Sequence, residues 1–212
     1  MIASKIEWCD ATWNPVRGCS MVSPGCTHCY AMRQAYRFSG PGQPYEGLTR
    51  YVEGTGPVWT GKIKLVEKDL AAPLRWRKPC RVFVNSMSDL FHEGVPQTFM
   101  EQVWIVMRGT PRHTYQILTK REKRMRLMVT QLSRTFGVLP NVWLGVSVES
   151  QAMADVRILD LLDTPAALRF ISAEPLLGLV DLHQIDGKRA TAYRMVGGEP
   201  RRLDWIIVGG ES

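Results

Sequence analysis

At 212 residues the chain is long enough for one substantial core and short for two. A composition of 45% apolar and 22% charged residues, with no low-complexity run and no stretch of about 18 apolar residues, excludes disordered, fibrous and membrane-spanning classes. The net charge of +7 and a pI near 9.3 favour an anionic partner, of which nucleic acid is the commonest.

The N-terminal segment Met1-Ile-Ala-Ser-Lys-Ile-Glu-Trp8 lacks the apolar centre of a secretory signal, so a cytoplasmic, reducing location and no membrane partner are expected. There, five cysteines, an odd number with three close together, read as metal ligands or catalytic thiols before disulfides. Much of the positive charge lies in Lys120-Arg-Glu-Lys-Arg-Met-Arg126, Arg75-Trp-Arg-Lys78, Lys188-Arg189 and Arg201-Arg202. A solvated helix face accounts for the first run as well as a phosphate track does.

Taken in order, residues 1–18 form a lead-in and a first strand around Ala11-Thr-Trp-Asn14. Arg17-Gly-Cys-Ser-Met-Val-Ser-Pro-Gly-Cys-Thr-His-Cys-Tyr30 follows, placing Cys19, Cys26 and Cys29 in a C-x6-C-x2-C array on a turn-rich loop. Three thiolates so close can converge on one metal or one iron–sulfur cluster. A closed zinc site needs a fourth ligand, for which His28, Cys9 and Cys80 are candidates. Next comes a helix with Tyr30, Met32, Ala35, Tyr36 and Phe38 on its apolar face, and then, over 39–60, an irregular Gly- and Pro-rich insertion suited to a cover.

Lys64 to Arg77 reads as a helix interrupted near Pro73. Arg81-Val-Phe-Val-Asn85 is a strand, and Val95 to Met107 a helix with Pro96 near its first turn. Thr114-Tyr-Gln-Ile-Leu118 is a strand, after which Thr119-Lys-Arg-Glu122 matches a capping box opening a helix to Phe136. Asn141 to Val148, a helix from Gln151 to Leu162, Ala167 to Ser172 and Asp204 to Val208 complete the pattern. Strand and helix alternating this way imply parallel strands with crossover helices. Six such units fit a partial (βα)6 TIM-like barrel or an open doubly wound sheet; a single domain over 1–212 with the partial barrel is preferred.

Polar residues stand where strands end: Asn85 to Asp89, Thr119 and Lys120, Ser147 and Glu149, Ser172 and Glu174, and Gly209-Gly-Glu211. Parallel α/β folds build their sites at such ends. The alternative is that Asp89 or Glu149 merely caps a helix. A cluster held by three cysteines leaves one iron open to a small ligand's amino and carboxylate groups, with Asp89, Lys120, Glu149, Glu174, Gly209, Gly210 and Glu211 available for the rest. No Walker A, G-x-G-x-x-G, H-E-x-x-H or G-x-S-x-G sequence offers a competing chemistry.

Cysteines on the loop after the first strand of six units resemble the radical S-adenosylmethionine (SAM) superfamily. The resemblance implies a [4Fe–4S] cluster on Cys19, Cys26 and Cys29, with SAM on the fourth iron as the source of a radical that abstracts hydrogen from the substrate. Gly25-Cys-Thr-His-Cys-Tyr30 and Ile117-Leu-Thr-Lys120 are similar to the spore photoproduct lyase-like branch, which acts on DNA; the C-x6-C gap departs from the superfamily's C-x3-C. Trp13 to Cys19, Val84 to Phe91, Leu118 to Arg121, Val142 to Glu149, Glu174 to Gly178 and Val208 to Ser212 resemble the signature segments of an uncharacterised bacterial and phage family with a three-cysteine motif. Members commonly continue past the last segment, so that resemblance implies a shortened chain. The reading favoured is a radical-SAM-like enzyme with Lys120 and Glu174 catalytic, Asp89, Glu149, Gly209, Gly210 and Glu211 binding cofactor, and nucleic acid a candidate substrate. The rival is a zinc-stabilised (Zn2+) nucleic-acid-binding phage accessory protein without catalysis.

Overall fold

The computed structural model describes residues 2–185, 188–189, 193–196 and 199–209. The chain divides into two compact units, Met1–Tyr115 and Gln116–Ser212.

The first unit holds β1 (Ile2–Ala3), β2 (Ala11–Trp13), β3 (Val16–Arg17), a 3-10 turn at Pro24–Cys26, α1 (Tyr30–Tyr36), β4 (Thr49–Val52), β5 (Gly56–Trp59), β6 (Lys64–Leu65), α2 (Glu67–Leu70), a second 3-10 turn at Ala72–Arg75, β7 (Arg81–Val84), α3 (Gln97–Arg108) and the first two residues of β8 (Thr114–Thr119). β1 runs antiparallel to β2, and β2 parallel to β7 with Trp13 opposite Val84. The Thr114 N–H then donates to the Cys80 carbonyl beside β7. Ala11, Trp13, Val82 and Val84 are all buried, which is why β7 reads as a continuous apolar run: a parallel strand is covered on both faces. α3 buries Phe99, Met100, Val103, Trp104, Val106 and Met107 at helical spacing and leaves Ile105 exposed. Pro96 is its N-cap.

Two stretches differ from their sequence reading. Lys64 to Arg77 is not one broken helix but β6, a single helical turn and the second 3-10 turn; Lys64 and Leu65 pair antiparallel with Val16 and Arg17. The 39–60 insertion is likewise not irregular throughout. It contains the β4–β5 hairpin, closed by Glu53-Gly-Thr55 with Gly54 at φ +75°, a conformation that costs glycine nothing. Leu48 and Trp59 join Ala31, Met32 and Ala35 of α1 in a small core. Tyr30, Tyr36 and Phe38, expected on the apolar face of α1, are exposed instead. The helix has only seven residues and buries Ala31, Met32 and Ala35 alone.

The second unit holds the rest of β8, α4 (Glu122–Phe136), β9 (Val142–Ser147), α5 (Gln151–Asp163), β10 (Leu168–Ala173), β11 (Gln184–Ile185), β12 (Lys188–Arg189), β13 (Tyr193–Val196), β14 (Glu199–Arg202) and β15 (Trp205–Val208). Its sheet runs β8-β9-β10-β15. β9 is parallel to β10 with Ser147 opposite Ser172, and β10 parallel to β15 with Ala173 opposite Val208. α4 and α5 are the crossovers. Gly145 lies opposite Phe170 across the β9–β10 pair, where a Cβ would come within 2.6 Å of the ring, so the glycine makes room for a fully buried phenylalanine. Two arginines close the C-terminal end of α5: Arg169 donates to the carbonyls of Leu161 and Thr164, and Arg201 to those of Leu162 and Asp163. Burial pulls the Arg169 guanidinium down to about 10.

The helix α4 begins at Glu122 with Arg121 at its N-cap, so Thr119 and Glu122 do not form a capping box. The Thr119 hydroxyl instead accepts the Arg121 N–H at 2.9 Å, two residues on, where a capping box bonds the third. The fold is therefore mixed α/β, with parallel strands joined by crossover helices. No sheet closes on itself among the described residues.

A buried histidine in the first unit sets a pH dependence. His113 is wholly buried, 3.3 Å from the Cys80 thiol, and its desolvation, aided by the Arg112 guanidinium, holds its pKa below the usual histidine value. Below about pH 6.5 the unfolded chain takes a proton there that the folded chain resists, so stability falls as pH drops through that range. Urea unfolding of wild type and His113→Gln should therefore show a steeper loss between neutral and mildly acidic pH for wild type. Parallel pH profiles would refute the assignment.

Candidate functional site

The cysteine loop leaves the sheet directly after β3. Gly18, at φ +85° and bridged to Ser88, turns the chain into it. Pro24–Cys26 forms a single 3-10 turn, the Cys29 N–H donates to the Cys26 carbonyl at 3.4 Å, and Cys29 is the N-cap of α1. None of the three is in a disulfide and all are half-buried, and Cys19 and Cys29 pack on the small core under α1.

What holds this loop is the segment after β7. Asn85, 2% exposed and at φ +60°, occupies the left-handed region that asparagine tolerates better than most residues. Its N–H donates to the Trp13 carbonyl at 2.8 Å and its Oδ1 accepts the Val16 N–H at 3.3 Å. The Asn14 Oδ1 accepts both the Ser86 hydroxyl and the Met87 N–H. The Ser88 hydroxyl donates to the Val16 carbonyl at 2.7 Å, and the Tyr30 hydroxyl to the Ser86 carbonyl at 2.6 Å. His92 completes the set. Its Nδ1 accepts the Gly94 N–H at 3.0 Å, which leaves the proton on Nε2 to be donated to the Ser20 hydroxyl, also at 3.0 Å. A histidine in that tautomer ties the residue after Cys19 in place and cannot take a proton from it. Buried Asp89 accepts the Phe91 N–H at 2.9 Å, as a turn-forming carboxylate does.

The fourth-ligand candidates separate. Cys9 and Cys80 precede β2 and β7, at the strand ends opposite the loop, and their thiols engage the Ser4 hydroxyl and His113 respectively. Burial pushes both thiols up, the reverse of what metal ligation needs. His28 remains, exposed on the loop itself. In donor type the loop suits a soft metal or a cluster. In arrangement, no three His, Cys, Asp or Glu side chains stand together as a metal-holding group among the described residues.

In the second unit, Lys120 follows β8 and is half-buried. Glu149, after β9, is 1% exposed; its Oε2 meets Arg157 Nη1 at 2.6 Å, and that same nitrogen donates to the Ser147 carbonyl. Arg157 also lies 3.5 Å from Glu122. Glu174, after β10, accepts the Ser172 hydroxyl at 3.2 Å, and its carboxylate lies so close to Gly209 that a Cβ there would collide with it. The sheet thus brings Glu174 and Gly209 together at adjacent strand ends. Gly210 and Glu211 lie outside the described residues.

A family model described as protein of unknown function (DUF5131) matches residues 3–212. The chain belongs to this family. No curated protein and no solved structure matches it. The DUF5131 match spans the cysteine loop, the Asn85–His92 segment and every strand end discussed above. Reading the sequence for reactive groups picked out Asn85 only as a polar strand end and passed over Asn14 and His92, which with it position the loop. It also passed over Arg157, whose place in the middle of a helix carries no mark of its pairing with Glu149.

Proposed function

We propose that this protein is a radical-SAM-like iron–sulfur protein acting on nucleic acid, in which Cys19, Cys26 and Cys29 are the cluster ligands. The observation that carries the proposal is three half-buried cysteines, none in a disulfide, within one loop that starts at a strand end and is tied down on one side by Asn14, Asn85, Ser88 and His92. When bound, a [4Fe–4S] cluster and SAM would supply one-electron chemistry. The residues present would do the rest. Cys19, Cys26 and Cys29 would hold the metal, and the start of their loop is fixed at Gly18 and Ser20. Lys120 and Glu174 are proposed to act on substrate, and Asp89, Glu149, Gly209, Gly210 and Glu211 to bind SAM. The partial barrel is the form of the parallel fold that this chemistry implies.

The test is anaerobic reconstitution with iron and sulfide, followed by metal analysis and by ultraviolet–visible and electron paramagnetic resonance spectra with and without SAM. About four irons per chain, a reduced-cluster signal that SAM alters, and loss of both in Cys26→Ala are expected, with iron content unchanged in Lys120→Ala and Glu174→Gln. One zinc and no iron uptake would overturn the proposal in favour of a zinc-stabilised binding module.

A further inference from the structure

We propose that α1 and the β4–β5 hairpin form a platform for single-stranded nucleic acid, with bases stacking on Tyr36 and Tyr51 and phosphates met by Arg33 and Arg37. The inference rests on the nucleic-acid half of the reading above and is independent of the cluster.

The distribution of exposed aromatic rings carries it. Single exposed apolar residues are ordinary on any protein. Here, however, Tyr30, Tyr36, Phe38 and Tyr51, the Phe, Tyr and Trp residues exposed among those whose burial is described, all lie between residues 30 and 51. Tyr30 is tethered through its hydroxyl to Ser86. Tyr36 and Tyr51 are 40% and 63% exposed, with ring centroids 5.9 Å apart and planes tilted by 41°. Two broad ring surfaces are thus held side by side by a helix that shares one core with Trp59 of β5 and by β4, the strand paired with β5, at little further cost in conformational entropy.

The charges beside them fit the same partner. Ala31, Met32 and Ala35 face the core of the insertion, so Arg33, one turn before both Tyr36 and Arg37, lies on the open flank with them. Among the described residues neither Arg33 nor Arg37 makes an ion pair or side-chain hydrogen bond, whereas Arg17, Arg81 and Arg126 are each paired with an aspartate. Of the acidic residues nearby, Glu46 is engaged by the Gly42 N–H and Glu53 sits in the hairpin turn. Arg50 alternates to the other side of β4 from Tyr51 and is not part of the platform. Rings with guanidinium groups alongside suit unstacked bases on a phosphate backbone, because every base offers a face and each phosphate a charge. A duplex keeps its bases stacked inside and could use the arginines alone.

The experiment is fluorescence anisotropy on the purified full chain, without reconstitution, using labelled oligonucleotides of about 20 nucleotides as single strand and as duplex across a salt series. Single strands should bind more tightly than duplex. Tyr36→Ala/Tyr51→Ala should lose about tenfold or more in affinity, while Tyr36→Phe/Tyr51→Phe keeps it. Arg33→Ala and Arg37→Ala should each lower the salt slope by about 0.7. Thermal melts check that the double variant folds, and its iron uptake should equal wild type, so a failed cluster and a failed platform are told apart. Equal binding of duplex and single strand, or unchanged binding in the alanine double variant, would overturn the proposal. So would an absence of single-strand binding together with a concentration-dependent dimer that the double variant loses, which would assign the face to a second copy.

Discussion

Arg157→Ala should lower the free energy of unfolding by about 3–5 kcal/mol, the range seen when one partner of a buried ion pair is removed. The reason lies less in the attraction lost than in what is left behind. Glu149 is 1% exposed and Arg157 3%, so neither charge can recover its hydration in place. The 2.6 Å contact to Glu149, the bond to the Ser147 carbonyl and the approach to Glu122 all end on this one guanidinium. Alanine would leave a buried carboxylate, a strand-end carbonyl and a cavity. Arg157→Met/Glu149→Gln, which removes both charges and keeps volume, should recover a substantial part of the loss. Denaturant unfolding of the two variants checks both statements; a cost under about 1 kcal/mol for Arg157→Ala, typical of exposed pairs, would show the pair to be solvated. Because Glu149 is also a proposed SAM contact, the same ion pair would orient it, as pre-organised sites require.

Gly18→Ala should cost about 2–4 kcal/mol, combining the left-handed backbone penalty for a side chain with overpacking. Gly18 stands at φ +85°, and a Cβ there would collide with the Lys62 carbonyl, a backbone atom that cannot swing aside. Gly42 is the internal control. It has φ +73° with nothing within 4 Å of a Cβ, so Gly42→Ala carries the conformational penalty alone, about 1–2 kcal/mol. Equal costs at the two positions would show that the Lys62 contact is not decisive. The Gly18 effect should also be local. Since Cys19 follows immediately and Ser88 bridges to Gly18, thiol labelling of Cys19, Cys26 and Cys29 should accelerate in Gly18→Ala while buried Cys9 and Cys80 stay slow.

Strands β2, β7, β8, β9, β10 and β15 were legible because each carries an apolar run between turn residues, as a parallel strand does when it is buried on both faces like β7, β9 and β10, and as β15 does even at the sheet edge. Helices α3 and α4 were legible through periodicity, as Met125, Met128, Val129 and Leu132 on one buried face illustrate. The insertion was not. Its glycines and prolines outweigh Thr49, Tyr51, Val58 and Trp59 in any local count, and the hairpin forms because α1 supplies a surface for it. The capping box failed for a related reason: Thr119 ends a buried strand, and the backbone reaches helical geometry only at Glu122, after a turn that Thr119 itself stabilises.

The same division runs through the candidate site. Three cysteines within eleven residues are a property of the sequence, as are the polar residues that end each strand, because both arise from neighbours along the chain. Which groups hold the loop was decided by tertiary structure. Ser20 and His92 are 72 residues apart, and Val16 and Asn85 69 apart; they meet because β2 and β7 pair in parallel, and a parallel pair always joins distant segments. That pairing also sends Cys9 and Cys80 to the far strand ends, leaving Cys19, Cys26 and Cys29 as the set outside the core. Local spacing could suggest a ligand group, but only packing could say which cysteines the core had already taken.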